Sequence, residues 1–255
     1  MSAHYAIETQ GLSRSFGDFI AVKNLSLQVP MGSFFGFLGP NGAGKSTTIK
    51  MLTGLLEPSE GEVRVFGENI QQAPVNVKRA MGVVPEKLHL FESLSALEYL
   101  EFSSTMYGVP PEDIPERSAK LLAFMNLEEK QHETVGGFSH GMRKKIALAA
   151  ALMHQPRLLF LDEPFEGLDV VAARSLQTLL KTLTAQGMTI FLTSHILEIV
   201  EKLCDHVAII QQGELVVNGT MKALTAENSL ENAFLEVMGT SGEQDHLLSW
   251  LSESS

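Results

Sequence analysis

A glycine-rich segment that ends in lysine and serine carries the clearest chemical signal in this sequence. Its residues, GPNGAGKS from Gly39 to Ser46, satisfy every constrained position of the phosphate-loop pattern G-x-x-x-x-G-K-[ST]. Glycines let backbone N–H groups approach phosphate oxygens, and a helix that starts there adds partial positive charge. The pattern predicts a nucleoside triphosphate site made by Gly39, Pro40, Asn41, Gly42, Ala43, Gly44, Lys45, Ser46 and Thr47.

Three side chains of this segment have separate expected roles. We expect Lys45 to reach the β- and γ-phosphates and so to act in catalysis. The Ser46 hydroxyl is expected to ligate Mg²⁺, and Thr47 to bond an α-phosphate oxygen.

Two acidic residues directly follow an apolar run later in the chain. The sequence LLFL at 158–161 leads into Asp162 and Glu163, as expected of a buried strand that delivers carboxylates to a metal and a water molecule. We predict that Asp162 ligates Mg²⁺ and that Glu163 is the base that polarises the attacking water. Two acids after a strand are a structural accident about as often as they are functional. The significance of this pair comes from its combination with the phosphate loop.

The elements that must hold these residues can be predicted from hydrophobic periodicity. Short apolar or alternating segments predict strands at 5–12, 25–29, 34–38, 63–66, 80–84, 157–161, 189–193, 207–210 and 215–217. Helical spacing predicts a helix at 47–55, another between the strands at 157–161 and 189–193, and a third at 229–237. The phosphate loop thus lies between a predicted strand and a predicted helix.

Strand signals are absent from the middle of the chain. Between residues 88 and 153, leucines recur at amphipathic helical spacing, which predicts a helical insertion at about 87–155 within an α/β core. We therefore expect a nucleotide-binding domain at 1–222, followed by a short C-terminal helix and polar tail at 223–255.

The order of these motifs resembles that of the ATP-binding cassette (ABC) family. About twenty residues before the acid pair, FSHGM at 138–142 is similar to the family's Leu-Ser-Gly-Gly-Gln signature at Ser139 and Gly141 and departs from it at the other three positions. The resemblance implies that this segment opens a helix facing the γ-phosphate held by a second subunit. Ser139 also fits an ordinary helix N-cap.

Further family motifs follow in the expected order. EGLD at 166–169 resembles the D-loop, which implies that Asp169 contacts the opposing subunit's site. TSH at 193–195 resembles the switch loop, in which His195 contacts the γ-phosphate and takes part in catalysis.

Two single residues earlier in the chain also correspond to family positions. Phe16 resembles the aromatic residue that stacks on adenine. Glu86 stands where the family has a glutamine that touches Mg²⁺; a carboxylate can accept a hydrogen bond from metal-bound water but cannot donate one.

The resemblance implies a fold and a set of partners. The fold is an α/β P-loop NTPase (RecA-like) core with an antiparallel β subdomain and an inserted α-helical subdomain. The implied cofactors are ATP and Mg²⁺, and two ATPase subunits, as a homodimer or pseudo-dimer, would sandwich two ATP molecules. LENAF at 230–234 resembles the ending of exporter (ABC-2 type) cassettes, which implies transport through an integral membrane permease on a separate chain.

Composition limits the other functions. A net charge of −11 argues against a broad nucleic-acid surface, so we expect no nucleic-acid partner. The lone cysteine, Cys204, excludes an internal disulfide and fits a buried apolar position. The longest apolar run, at 146–153, is too short to span a bilayer, and the first residues lack a secretory signal pattern. We therefore expect a cytoplasmic location, peripheral on the cytoplasmic face of the cell membrane.

Two other functions remain open on the sequence alone. A soluble cassette ATPase acting on ribosomes or DNA is disfavoured, because paired cassettes, long coiled coils and zinc cysteines are missing, but one in iron-sulfur cluster assembly fits the sequence. A nucleotide-binding regulator that hydrolyses nothing is disfavoured by the intact Glu163.

Overall fold

The computed structural model describes residues 5–72, 74–226 and 229–238. The strands are β1 (Tyr5–Phe16), β2 (Phe19–Leu25), β3 (Gln28–Pro30), β4 (Phe34–Leu38), β5 (Glu60–Val65), β6 (Glu68–Asn69), β7 (Met81–Val84), β8 (Leu158–Asp162), β9 (Thr189–Thr193), β10 (His206–Gln211) and β11 (Glu214–Thr220). The helices are α1 (Lys45–Leu52), α2 (Pro74–Arg79), α3 (Ala96–Tyr107), α4 (Ile114–Met125), α5 (His140–Leu152), α6 (Val170–Ala185), α7 (Leu197–Leu203), α8 (Met221–Leu224) and α9 (Leu230–Met238).

A six-stranded sheet forms the centre of the fold. Its strand order is β11-β10-β4-β9-β8-β7, with every neighbouring pair parallel except β10 and β11. All five residues of β4, of β8 and of β9 are buried, as expected of parallel strands covered on both faces. Phe191 packs here against the rings of Phe35, Phe37 and Phe160.

A second, antiparallel sheet lies beside the first. Its order is β2-β1-β5-β6, with β3 also paired to β1. The predicted single strand at 25–29 is wrong: β2 ends at Leu25 and β3 begins at Gln28, and both pair with β1. The hydroxyl of Thr9 in β1 bonds both the carbonyl of Leu25 and the N–H of Leu27, so the chain crosses from one strand to the other at this point.

Three helices, α3, α4 and α5, lie within the predicted insertion at about 87–155. Helix α3 starts with a capping box in which Ser95 and Glu98 satisfy each other's backbone N–H groups. Helix α5 starts at the N-cap Ser139, whose hydroxyl accepts from the Met142 N–H. The insertion's apolar residues join the same buried cluster as one face of the central sheet, so it packs on the core as an added layer.

The C-terminal part of the described chain returns to the core. Strands β10 and β11 form the expected hairpin. Ser229 accepts from the Asn232 N–H, as predicted for the N-cap of α9, and the buried Leu230 donates its N–H to the Glu201 carboxylate in α7. Helix α9 therefore packs beside α7.

Some boundaries and elements differ from the sequence predictions. Helix α1 covers Lys45–Leu52 instead of 47–55, and Phe66 lies beyond β5 with a positive φ of 51°. Strand β2 (apart from Leu25) and helix α2 were not predicted. Within residues 5–72, 74–226 and 229–238, no helix combines the length and apolar character needed to cross a bilayer.

Candidate functional site

The carboxyl ends of the central parallel strands converge on one cleft. Strands β8 and β9 are in register at Asp162 and Thr193, and the phosphate loop leaves β4 beside them. Ligands of open α/β sheets bind at this edge. The cleft encloses about 1040 Å³ and is lined by Phe19, Ala21, Gly39, Pro40, Asn41, Gly42, Gly44, Lys45, Ser46, Thr47, Glu86, Asp162, Glu163, Glu166, Ser194, His195, Leu197, Phe234 and Met238.

Close packing of the phosphate loop requires two of its glycines. A Cβ on Gly39 would collide with the carbonyl oxygen of Ile210. Gly44 has a φ of 107°, and a Cβ there would lie 2.5 Å from the Ala21 carbonyl oxygen. Any side chain at either position would push the loop away from β10 or β2, so the spacing of glycines follows from the packing of the loop.

Lys45 is held inside the loop that it follows. Its Nζ donates to the carbonyl oxygens of Gly39 at 2.7 Å and Pro40 at 3.2 Å, and the residue is 8% exposed. The ammonium thus lies over the loop, where the β- and γ-phosphates are expected. Ser46 and Thr47 also line the cleft, as the sequence predicts.

Asp162 is fixed at the end of β8 by the neighbouring strand. Its carboxylate accepts from the Thr193 hydroxyl at 2.5 Å, and both residues are buried. The same hydroxyl accepts from the Glu163 N–H at 3.1 Å. Sequence reasoning did not assign Thr193 this role, because the contact depends on the register between two strands.

Glu163 and His195 face each other in the cleft. The His195 ring Nδ1 lies 2.9 Å from Glu163 Oε2, and the His195 N–H donates to the same oxygen at 3.3 Å. The Glu163 side chain is 11% exposed and that of His195 56%. The structure thus brings the two predicted catalytic side chains into direct contact, with the histidine on the solvent side.

The oxygen ligands in the cleft suit Mg²⁺ held jointly with a nucleotide. Asp162, Ser46 and Glu86 all line the cleft, but among the described residues no group of three His, Cys, Asp or Glu side chains could hold a metal by itself. Mg²⁺ is usually bound through one or two carboxylates, substrate phosphates and water. The buried Asp162 carboxylate beside the phosphate loop fits that donor set.

Phe16 lies outside the lining of this cleft. It ends β1 with 47% of its surface exposed, and the Arg14 guanidinium stands 4.7 Å from its ring centroid. The aromatic residue that lines the cleft on this side is Phe19, at 63% exposure. Phe19 was missed in the sequence analysis, since it is the first residue of β2, which was not predicted.

The predicted residues Ser139, Gly141 and Asp169 also lie outside the cleft lining of their own chain. Ser139 caps α5, while Asp169 caps α6 by accepting from the N–H groups of Val171 and Ala172. A Cβ on Gly141 would lie 3.6 Å from a Leu168 methyl group. The signature and D-loop segments therefore pack against each other, and Glu166 is the one residue of these two segments that lines the cleft.

Two features of the site were absent from the sequence predictions. The cleft wall beside His195 includes Leu197 of α7 and Phe234 and Met238 of α9; Phe234 belongs to the 230–234 motif, but nothing in the sequence places it in the cleft. Lys144 of α5 is buried and donates to the carbonyl oxygens of Glu163 and Glu166.

Comparison with known proteins agrees with this geometry. The family model described as ABC transporter matches residues 22–166. The linearmycin resistance ATP-binding protein LnrL of Bacillus subtilis (strain 168) is 39% identical over 214 residues, covering 84% of this chain and 69% of that protein. The bacitracin transport ATP-binding protein BcrA of Bacillus licheniformis is 37% identical over 211 residues, covering 82% and 68%.

A solved ATP-binding subunit of an ABC transporter has a TM-score of 0.86 and 30% identity, covering 91% of this chain and 99% of that one. The chain therefore belongs to the ABC transporter family, as an ATP-binding ATPase subunit. The family resemblance and the P-loop NTPase fold inferred from the motifs are both confirmed.

Proposed function

We propose that this chain binds and hydrolyses MgATP in the cleft at the carboxyl edge of its central sheet, and that hydrolysis powers export through a separate membrane-spanning chain. The observation that carries the first part is the convergence of the phosphate loop, Asp162, Glu163 and His195 on one cleft. These groups come from three different parallel strands, as required to surround a triphosphate and its attacking water.

Each of these residues has a separate role in the proposed hydrolysis of ATP. Lys45 and the loop N–H groups bind the β- and γ-phosphates, and Glu163 orients and polarises the attacking water. His195, in contact with the Glu163 carboxylate, bonds the γ-phosphate. Mg²⁺, held by Asp162 and Ser46 with Glu86 accepting from a metal-bound water, would neutralise charge developing on the phosphate oxygens. Phe16, whose half-exposed ring lies outside the lining of the cleft, would stack on the adenine.

A second subunit would complete each site. Ser139 and Gly141 lie at the start of α5, so the N-terminus of this helix is available to an anion outside the chain's own cleft, whereas the Asp169 carboxylate caps the N-terminus of α6. Their position supports an ATP-sandwich dimer in which Ser139 and Gly141 bind the partner's γ-phosphate and Asp169 contacts the partner's site. The domain bounds, 1–222 with an insertion at about 87–155 and 223–255 beyond, remain part of this proposal.

The names of relatives support export as the transport direction. The Nod factor export ATP-binding protein I of Cupriavidus metallidurans (strain ATCC 43123 / DSM 2839 / NBRC 102507 / CH34) is 39% identical over 213 residues, covering 84% of this chain and 70% of that protein. We propose an integral membrane permease on a separate chain as the partner, and the cytoplasmic face of the membrane as the location.

Replacing Glu163 by glutamine tests the catalytic assignment. The amide keeps the size of the side chain but cannot accept a proton, so we expect MgATP turnover to fall at least about a hundredfold while ATP binding persists and an ATP-bound dimer accumulates. Glu198→Gln, at an exposed helix residue paired with Lys202, is the matched control and keeps its turnover. Unchanged turnover in Glu163→Gln would remove Glu163 from the reaction.

Co-purification from native membranes tests the transport assignment. The chain is expected to bring down a polytopic membrane protein after detergent solubilisation. Recovery only from the soluble fraction, or together with proteins of iron-sulfur assembly, would contradict the exporter proposal and leave the ATPase assignment intact.

A further inference from the structure

Lys144 is a charged residue buried where the helical insertion meets the core. It lies on α5, five residues after the N-cap Ser139, and only 7% of its surface is exposed. Charged side chains are almost never this buried unless they are paired. The side chain leaves the insertion and bonds to the loop that follows β8.

The two acceptors of Lys144 bracket the loop that carries the proposed base. Its Nζ donates to the carbonyl oxygen of Glu163 at 2.9 Å and to that of Glu166 at 2.5 Å. The Glu166 N–H also donates to the Glu163 carbonyl at 3.3 Å. One ammonium group, which does not line the cleft, therefore closes the turn from Glu163 to Glu166.

The backbone of Glu163 needs such support. Its φ is +49°, in the left-handed region that residues with a side chain rarely adopt, and such backbone persists only where the surroundings over-determine it. The Glu163 N–H is held by Thr193, and the Glu163 carbonyl by Lys144. Both peptide groups flanking the base are thus fixed, one by a neighbouring strand and one by the insertion.

The charges around Lys144 favour a cation there. The pKa of the Lys144 ammonium is lowered on balance, because the effect of burial exceeds that of the Glu166, Glu163 and Glu86 carboxylates, which act to raise it. The next residue provides a contrast, because Lys145 donates to the Met125 carbonyl at 2.7 Å and so stays within the insertion. Two consecutive lysines of one helix thus make similar bonds, but only Lys144 bonds to the catalytic loop.

We propose that Lys144 is a positioning residue for ATP hydrolysis, which fixes the backbone of Glu163 from helix α5. The proposal rests on the proposed role of Glu163 as the base. Because α5 also begins at Ser139, a rotation of the insertion that moves Ser139 toward or away from a partner's nucleotide would move Lys144 with it. The orientation of the insertion would then decide whether the base is in place.

The test compares Lys144→Met with Lys145→Met in the full chain. Methionine keeps the apolar stem and removes the donors, so Lys144→Met is expected to lower kcat about ten- to hundredfold by misplacing the base, with KM and the ATP dissociation constant within about twofold of wild type. Lys145→Met keeps wild-type kcat. Lys144→Arg, which keeps charge and donors, recovers most of the loss. Equal kcat in the two methionine variants would overturn the proposal, as would a fall in ATP affinity that parallels the fall in kcat.

A double variant separates this proposal from the one on which it rests. If Lys144 acts through Glu163, then Lys144→Met lowers the single-turnover rate in the wild-type background and leaves the residual rate of Glu163→Gln unchanged. A further tenfold loss in the Glu163→Gln background would show that Lys144 acts elsewhere. Full activity of Glu163→Gln itself would instead refute the role of the base.

Discussion

The central parallel sheet and the helical insertion hold their functional residues in different ways. In the sheet, Asp162 and Thr193 face each other through strand register and a direct hydrogen bond, so their positions are fixed by backbone ladders. In the insertion, Ser139 lies at a helix N-terminus, and α5 and the segment just after it bond to the core through single side chains, among them Lys144 and His154.

This difference separates rigid parts of the site from parts that can move. Changing a strand register would break several backbone hydrogen bonds at once, whereas a small rotation of the insertion breaks a few side-chain hydrogen bonds and slides apolar contacts. The phosphate loop and Asp162 are therefore expected to stay together in every state, while Ser139 and Lys144 change position with the insertion.

Phe191→Ala should have the largest effect on stability. Phe191 is fully buried and packs against three other phenylalanine rings at centroid distances of 5.4 to 5.6 Å, so truncation leaves a cavity. We expect a loss of about 3–5 kcal/mol in the free energy of unfolding, measured by urea denaturation. Phe102→Ala in the insertion, 44% exposed with an edge contact to Phe91, should cost about 1 kcal/mol. Similar losses of stability in the two variants would contradict the difference between the central sheet and the insertion.

Lys45→Ala should have the next largest effect, on binding instead of folding. Losing charge-assisted hydrogen bonds to phosphate is expected to weaken ATP binding by about 3 kcal/mol, or roughly a hundredfold, measured by titration calorimetry. Lys50→Ala, on the exposed side of the same helix, should leave the ATP dissociation constant unchanged. A change below about threefold in Lys45→Ala would contradict the placement of the phosphates.

Alanine substitutions at two serine caps of the insertion should have the smallest effect on stability. They also separate a helix-capping role from a role in turnover. Ser95 and Ser139 each accept the N–H of the residue three positions later, so alanine at either site should cost about 1 kcal/mol of stability. Ser95→Ala is expected to retain MgATP turnover, whereas Ser139→Ala should lose it if, as proposed, its hydroxyl also binds the partner's γ-phosphate. Equal turnover in the two variants would reduce Ser139 to a helix cap.

Much of the site could be predicted because it is encoded locally. The phosphate loop is a contiguous segment between β4 and α1, and the acids Asp162 and Glu163 end an apolar strand. The Gln212-Gly213 turn of the β10–β11 hairpin and the Ser229 cap of α9 were likewise visible from short-range patterns. Such features depend on periodicity and turn chemistry over a few residues.

Strand β2 shows where local patterns fail. Its burial does not alternate, and Phe19 and Ile20 are exposed, so the segment lacks the period of a half-buried strand. It is a strand because β1 offers it hydrogen-bonding partners. Tertiary pairing decided this element, as it decided that Phe19 lies in the cleft.

The sequence by itself determined which side chains could bind a triphosphate and polarise a water molecule. Only the tertiary structure decided that His195 pairs with Glu163 across 32 residues of sequence, and that Lys144 bonds the loop from Glu163 to Glu166, 19 to 22 residues further along the chain. The physical reason is that these contacts depend on strand register and on how the insertion packs against the sheet, and both are set by the whole buried core.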